Sequence, residues 1–329
     1  MKYNYVFFDS GSTRFFHNNK ADYFYICTQD LRKNGIKVVS YPMAHLPFVF
    51  RLLFAFLTRI NRKFEKLFYK KYFKNDFHNN KPFCFLIYGY YITPSYIEYL
   101  KTNFPNSKII KIHRDLVSLW RKRNPLFIND LSTYFDYSFT YDKDEAVKYN
   151  MVYFDEFESK LDYLKPFKIK HDVFFAGYAK NRLDALLKIA SYFEKHGINY
   201  YFFIVNSEKI DSVGLKGIRF SKKPMSYLKM LKESMSSNVL LEINQLNAVG
   251  YTSRFLESVM YNKKLMTNNQ TILKAKYYNA SYIKVFKTID DFDLSFIKER
   301  INVDYNYSDD FSPMHLINKI EKMLNNNDK

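Results

Sequence analysis

Apolar positions along the chain alternate between two rhythms. Short runs of contiguous apolar residues give way to stretches in which they recur every three or four positions. The first rhythm marks buried strands and the second marks amphipathic helices. In the first half, 5–8, 37–41, 83–88, 108–112 and 135–141 read as strands. Helices are predicted over 21–34, closed by Gly35 at the C′ position, over 95–103 behind Pro94, and over 143–149 behind the N-cap Asp142. The stretch KLDYLKPFKIK (160–170) has no apolar period and contains a proline, so the domain boundary is expected there.

The rhythm then restarts. Strand 172–176 leads through a glycine-bearing loop to a helix with Leu183, Leu186, Leu187, Ala190 and Phe193 on one face, stopped at Gly197. Strands 199–205 and 218–220 and a helix over 227–235 follow. Next come strand 239–243, a polar loop to Tyr251, a helix from Thr252 and strand 264–267. A last strand at 282–286 precedes a C-terminal helix over 314–324. Repeated strand–helix units predict parallel sheets. The expected fold is α/β: two Rossmann-like, doubly wound domains facing a cleft. They would cover 1–165 and 171–312, with 313–329 as a C-terminal helix able to cross back to the first.

One segment breaks the rhythm. Residues 46–57 are strongly apolar, and 58–77 continue as a basic amphipathic pattern. Ile60, Phe64, Leu67, Phe68 and Tyr72 fall on one side, among Arg59, Arg62, Lys63, Lys66, Lys70 and Lys71. Such a helix can lie on an anionic bilayer with its aromatic side down. It can equally be a crossover helix with a lysine-rich outer face.

Composition narrows the partners. A formal net charge of +18 favours anionic ones. No nucleic-acid-binding motif accompanies the basic residues, so a nucleic-acid partner is not expected. With 47% hydrophobic and 19% aromatic residues, the chain can fill sizeable cores. No apolar run is long enough to span a membrane and no signal peptide opens the sequence. Cys27 and Cys84 fit no metal or redox spacing, so a reducing cytoplasm is the expected setting.

Two loops of the second half are suited to phosphate. One is Gly177 to Arg182, with Lys180 and Arg182. The other runs from Ala248 to Arg254 and heads a helix, where backbone N–H groups and the helix dipole favour anions. Neither is a P-loop or a GxGxxG fingerprint. Arg254, Glu257 and Tyr261 share one face of that helix. An arginine in the first turn can reach a diphosphate, and a carboxylate one turn on can accept ribose hydroxyls. The plainer alternative is a surface ion pair at i,i+3.

The words FFAGYAKNRLDALLKI (174–189), YLKMLKESMSSNVLLEI (227–243) and GYTSRFLESVMYNKKLMTNN (250–269) make the second half resemble the donor domain of bacterial GT-B glycosyltransferases. The nearest in kind build capsule, O-antigen or other surface polysaccharides, including lipopolysaccharide. YSFTYDKDEAVKYNM (137–151) extends the likeness loosely into the first half. The resemblance implies that Glu257 binds the donor ribose. Gly250, Tyr251, Thr252, Ser253 and Arg254 would hold the diphosphate. Gly177 with Lys180 or Arg182 would approach from the neighbouring loop, and 218–220, with Arg219 and Phe220, would border the nucleobase. It also implies a nucleotide-sugar co-substrate of UDP, GDP or CMP type and no cofactor. The acceptor would be a glycan or lipid-linked, and the enzyme would sit on the inner leaflet of the plasma membrane. Many retaining members carry a second glutamate eight residues before the ribose-binding one. Val249 stands there, which points to inversion.

Inversion needs a base for the acceptor hydroxyl, expected at a strand end of the first domain. Asp9, His17, His113 and Asp115 are the candidates. Charge on the leaving diphosphate would be met by Arg254, Lys180 and Arg182 without a metal. Asp291-Phe292-Asp293 has the spacing of a metal-binding DxD but is expected to cap a helix. Two rival readings remain: a nucleotide-sugar epimerase of the same architecture, and a non-catalytic scaffold of a polysaccharide assembly complex.

Overall fold

The structure is a computed structural model. It describes residues 1–9, 23–42, 77–88, 93–118, 131–164, 167–205, 214–244 and 248–326, with scattered positions between 52 and 67. Two compact units are formed, one from Met1–Phe154 with Pro313–Lys329 and one from Asp155–Ser312.

The first unit is a six-stranded parallel sheet of β1 (Asn4–Asp9), β2 (Val38–Pro42), β3 (Phe83–Ile87), β4 (Lys108–His113), β5 (Tyr137–Thr140) and β6 (Val152–Tyr153), in the order β2-β1-β3-β4-β5-β6. Its helices are α1 (Tyr23–Lys33), α2 (Pro94–Asn103), the short α3 (Leu131–Tyr134) and α4 (Lys143–Lys148). Strand β6 has only two residues, too few for a hydrophobic period, and the pattern does not reveal it. The C-terminal helix, Pro313–Asn326, belongs to this unit. Its Glu321 accepts hydrogen bonds from the Lys2 amide and the Tyr5 hydroxyl.

The second unit repeats the scheme with β7 (His171–Tyr178), β8 (Tyr200–Val205), β9 (Ile218–Ser221), β10 (Ser237–Glu242), β11 (Lys264–Thr267) and β12 (Ile283–Val285), in the order β12-β11-β10-β7-β8-β9. Helices α5 (Leu183–Lys195), α6 (Tyr227–Met235), α7 (Ser253–Met260) and α8 (Leu294–Lys298) connect or flank them; the C-terminal helix is α9. Alternation along the central strands feeds two cores. Val173 and Phe175 of β7 and Val239 and Leu241 of β10 enter one, with Phe193 of α5 and Ile297 of α8. Phe174 and Leu240 enter the other, with Phe255, Leu256 and Val259 of α7. Both faces are covered, which is why these strands read as unbroken apolar runs.

The order of strands fixes where a ligand can sit. Chain progression reverses between β1 and β3 in the first unit and between β7 and β10 in the second. The carboxyl ends of two strands diverge at such a switch point, and their loops part around a crevice.

Helix stops follow one rule in both units. Helix α1 ends on Gly35 (φ +78°), with the Gly35 amide donating to Arg32 and the Ile36 amide to Leu31. Helix α5 ends in the same way on Gly197 (φ +61°). Asn150 and Asn262, at φ +50° and +51°, close α4 and α7 with the same pair of bonds. Asparagine is the non-glycine residue that most readily takes this left-handed position. The sequence pattern identifies the two glycines as stops and passes over the two asparagines.

The units part between Phe154 and Asp155, ahead of the 160–170 stretch where the sequence places the boundary. Residues 155–161 carry no period, yet Glu156, Phe157, Glu158, Ser159 and Leu161 are buried in the second unit. Most of 46–77 lies outside the described residues. Of its described members, Leu52, Leu53, Phe56, Ile60, Phe64 and Leu67 are exposed, and Phe77 packs into the first unit's core. No helix among the described residues is long and apolar enough to cross a membrane.

Candidate functional site

At the second unit's switch point the sequence puts a charge where a strand should be apolar. Glu242 ends β10 and is buried. Its carboxylate accepts from the hydroxyls of Thr252 and Thr267. Burial raises its pKa, against the opposing pull of the two hydroxyls and of Arg254 and Arg182. Thr252 is the N-cap of α7, its oxygen accepting from the Arg254 amide at 3.2 Å. Thr267 ends β11 and accepts from the Asn269 amide at 2.9 Å. Asn269 Nδ2 in turn donates to the Gly250 carbonyl (3.1 Å), and the Thr271 hydroxyl donates to the Val249 carbonyl (2.8 Å). The loop heading α7 is thus tied at both ends to the loop after β11. None of Glu242, Thr267 or Asn269 is among the sequence candidates. The signal available was Glu242 itself, a carboxylate in an otherwise apolar strand.

Gly250, Tyr251, Thr252, Ser253 and Arg254 form the head of α7, as the sequence places them. The face bearing Arg254, Glu257 and Tyr261 is not open, however: Glu257 is fully buried and Arg254 is 8% exposed. The Arg254 guanidinium turns inward, onto Glu257 and the Ser234 hydroxyl of α6. Ser234 also donates to Glu257 at 3.2 Å. Burial raises the Glu257 pKa, and the Arg254 charge opposes it. The second oxygen of Glu257, Oε1, receives no hydrogen bond. The surface-pair alternative fails, since this pair is desolvated.

What covers this face is the stretch at the start of the second unit. Glu158 accepts from the Tyr227 hydroxyl of α6, and the Leu161 amide donates to the Tyr261 hydroxyl (3.0 Å). The Glu158 amide is anchored on the Phe311 carbonyl. Burial, with Glu158 and Glu257 nearby, pushes the Tyr227 phenol well above its ordinary value. Sequence reasoning missed Glu158, Tyr227 and Ser234, whose roles depend on contacts distant in the chain.

On the other side of the switch point, Arg182 donates to the carbonyls of Tyr178 and, through Nη1, Ile243. It therefore clamps the loop after β7 to the end of β10. A Cβ on Gly177 would lie 3.0 Å from Arg182 Nη2 and 3.3 Å from the Phe175 ring, so glycine lets the clamp close. Lys180 is exposed, with a left-handed backbone (φ +44°) that lysine rarely adopts. Arg219 and Phe220 lie on β9, the edge strand two places from β7. Phe220 packs against a core and Arg219 is exposed near Tyr201. They are not brought together with the α7 head.

In the first unit, Asp9 ends β1 beside the switch point. Its side chain and all of His17 lie outside the described residues. His113 ends β4 and is buried, and burial together with Lys111 holds its pKa well below the usual value. Asp115 follows in the partly exposed turn that leads to a helix whose first amides, Val117 and Ser118, donate to Glu145. Lys111 was not anticipated. It is fully buried and donates to the carbonyls of Ile87 (3.3 Å) and Tyr88 (3.1 Å), and burial lowers its pKa to about 7.

Asp291 and Asp293 serve as caps. Asp291 accepts from the Lys287 and Thr288 amides, and Asp293 is the N-cap of α8. Among the described residues, no group of three or more His, Cys, Asp or Glu side chains could hold a metal ion.

No family model matches the sequence, and none of the curated proteins does. Solved structures do resemble the fold. One is an alpha-glucosyltransferase in complex with UDP and a 13-mer DNA containing an HMU base, with a TM-score of 0.50 and 12% identity over 81% of this chain and 80% of that one. Another is an alpha-glucosyltransferase with UDP and a 13-mer DNA containing a central A:G mismatch, with a TM-score of 0.51 and 13% identity over 81% and 79%. At such identity the likeness speaks for the fold. The chain has the GT-B fold, two Rossmann-like α/β domains each with a six-stranded parallel sheet.

Proposed function

We propose that this protein is a glycosyltransferase that takes a sugar from a nucleotide-diphosphate donor held by the second unit. The observation that carries the reading is the tied loop heading α7 at the β7/β10 switch point, with the exposed Lys180 on the facing loop. A helix head and an exposed cation suit a leaving diphosphate. The similarity to UDP-bound alpha-glucosyltransferases supports the same reading. Arg254, Glu257 and Arg182, all engaged within the unit, act here by shaping the loops. Calorimetry with UDP, GDP and CMP tests the reading. Micromolar to millimolar binding of one of them is expected, and silence with all three removes it.

The finer reading follows the sequence. Transfer is inverting and metal-independent, with the base drawn from the first unit. The candidates are Asp9, His17, His113 and Asp115; burial and Lys111 oppose protonation of His113. The anomeric configuration of the product, read by proton NMR, decides between inversion and retention. The acceptor is a lipid-linked or surface glycan at the inner leaflet. The exposed apolar positions Leu52, Leu53, Phe56, Ile60, Phe64 and Leu67, with Arg59 among them, support a bilayer contact. Co-sedimentation with anionic vesicles, weakened by salt, is the expected result. The neighbouring structures contain DNA, and with a net charge of +18 duplex DNA is the control acceptor. Transfer to DNA without vesicle binding would replace the lipid reading.

A further inference from the structure

Glu242 is a buried carboxylate that accepts from two threonine hydroxyls, and this arrangement has a directional consequence. A carboxylate has no proton to give, so both hydroxyl protons must turn toward it. Each threonine oxygen is then left to accept on its other side. Thr252 accepts the Arg254 amide and Thr267 accepts the Asn269 amide. One carboxylate thereby sets two loops that are distant in sequence. Asn269, so held, grips the Gly250 carbonyl, and Thr271 grips the Val249 carbonyl.

Peptide geometry carries the argument to the ligand side. In a trans peptide the carbonyl and the following N–H point in opposite directions. With the Val249 and Gly250 carbonyls drawn to the loop after β11, the Gly250 and Tyr251 N–H groups point away from it. Strand β7 and its loop, with Lys180, lie on the other flank of β10. Successive N–H groups of this kind form an anion-binding concavity at a helix head.

We propose that Glu242 is a positioning residue for the donor phosphates: through Thr252 and Thr267 it fixes the orientation of the Gly250 and Tyr251 amides. This rests on the donor-site reading above and adds to it a residue that touches no substrate. Glutamine at position 242 can accept from one threonine but must offer an N–H to the other, so that threonine's hydroxyl proton is turned away from residue 242 and its oxygen must serve the glutamine and the loop amide together, which loosens the tie.

Two measurements on the full chain test this. Hydrogen exchange of the unliganded protein reads the network itself. In Glu242→Gln, protection at the Arg254 or Asn269 amide falls at least tenfold, while amides of β7 and β8 keep theirs. Thr252→Val releases Arg254 alone, Thr267→Val releases Asn269 alone, and Thr252→Ser restores the wild-type pattern. Unchanged protection in all the variants overturns the proposal. Calorimetry reads the consequence, using whichever nucleotide the wild type binds against its own nucleoside, for example UDP against uridine. Glu242→Gln is expected to weaken UDP about tenfold and uridine less than twofold. Equal losses for both, or no loss for UDP, overturn the positioning role and leave the donor reading standing. A wild type that binds no nucleotide removes the donor reading, and the positioning role with it, whatever the exchange data show.

Discussion

The two units have six-stranded parallel sheets and the same way of ending helices, yet the charges buried at the end of β4 in the first and of β10 in the second are opposite. In the first, the charged groups buried at the end of β4 are basic. Lys111 and His113 sit on one face of the strand, and Lys111 gives its protons to backbone carbonyls. In the second, they are acidic. Glu242 and Glu257 are held by threonine, serine and arginine side chains from other elements. Desolvation drives both sets toward neutrality, lowering the basic groups and raising the acids. The satisfying partners differ in what they constrain. Backbone carbonyls hold a lysine without tying loops together, whereas side chains drawn from α6, α7 and β11 tie the acids' surroundings into one network. The second unit thus has a tied loop at the head of α7, and the first has a buried lysine whose pKa is lowered to about 7.

The strongest way to break this contrast is to remove the arginine from the acidic network. Arg254→Met leaves Glu257 buried with only Ser234 to donate to it. Losing one partner of a buried pair costs about 3–5 kcal/mol. Arg254→Met/Glu257→Met removes both charges and should recover most of that loss. Denaturant midpoints of the three proteins give the answer. If the single variant is as stable as the wild type, the pair is solvated and the contrast between units is wrong.

Much of this architecture is legible in the chain. The strand runs, the two glycine stops and the α7 head follow from periodicity and local caps. Arg254 and Glu257 also stand out by spacing, but their environment does not. The polar face of α7 is covered by Glu158, Tyr227 and Ser234, and contacts between residues 23 to 100 positions apart leave no local pattern. The sequence places the boundary at 160–170 and assigns nothing to 155–159, because the buried side chains of 155–161 follow no helix or strand period. Glu242 and Lys111 do carry a signal, since each is a charged residue next to contiguous apolar positions of a strand. They were absorbed into the strands they interrupt.

A second experiment sharpens the basic side of the comparison. In the folded protein Lys111 titrates near pH 7, while in the unfolded chain it keeps its proton to its ordinary value of 10.5. Between those limits the unfolded state binds more protons, so stability rises with pH, by up to about 1.4 kcal/mol per unit. Below pH 7 both states are charged and the burial penalty is felt in full. Lys111→Met lacks this slope. Trp120, the chain's one tryptophan, lies in the sequence of the first unit, so its fluorescence can follow unfolding there. Other groups titrate in this range, and subtracting the variant's profile from the wild type's isolates Lys111. Parallel profiles between pH 7 and 9.5 would show that the lysine is not desolvated.

The smallest expected effect asks whether the units differ in local structure as well as in charge. Gly35 and Gly197 hold the same left-handed stop, and at each a Cβ would meet nothing within 4 Å. Replacement by alanine therefore adds no clash and costs only the backbone strain, about 1–2 kcal/mol. Gly35→Ala and Gly197→Ala should lower stability by the same amount, each in its own unit. Equal losses, measured by denaturant unfolding, would confine the difference between the units to their buried charges. A markedly larger loss at Gly197 would mean that strain at the end of α5 reaches the switch point through β7 and β8, so the rigidity of the second unit would be a property of its whole sheet.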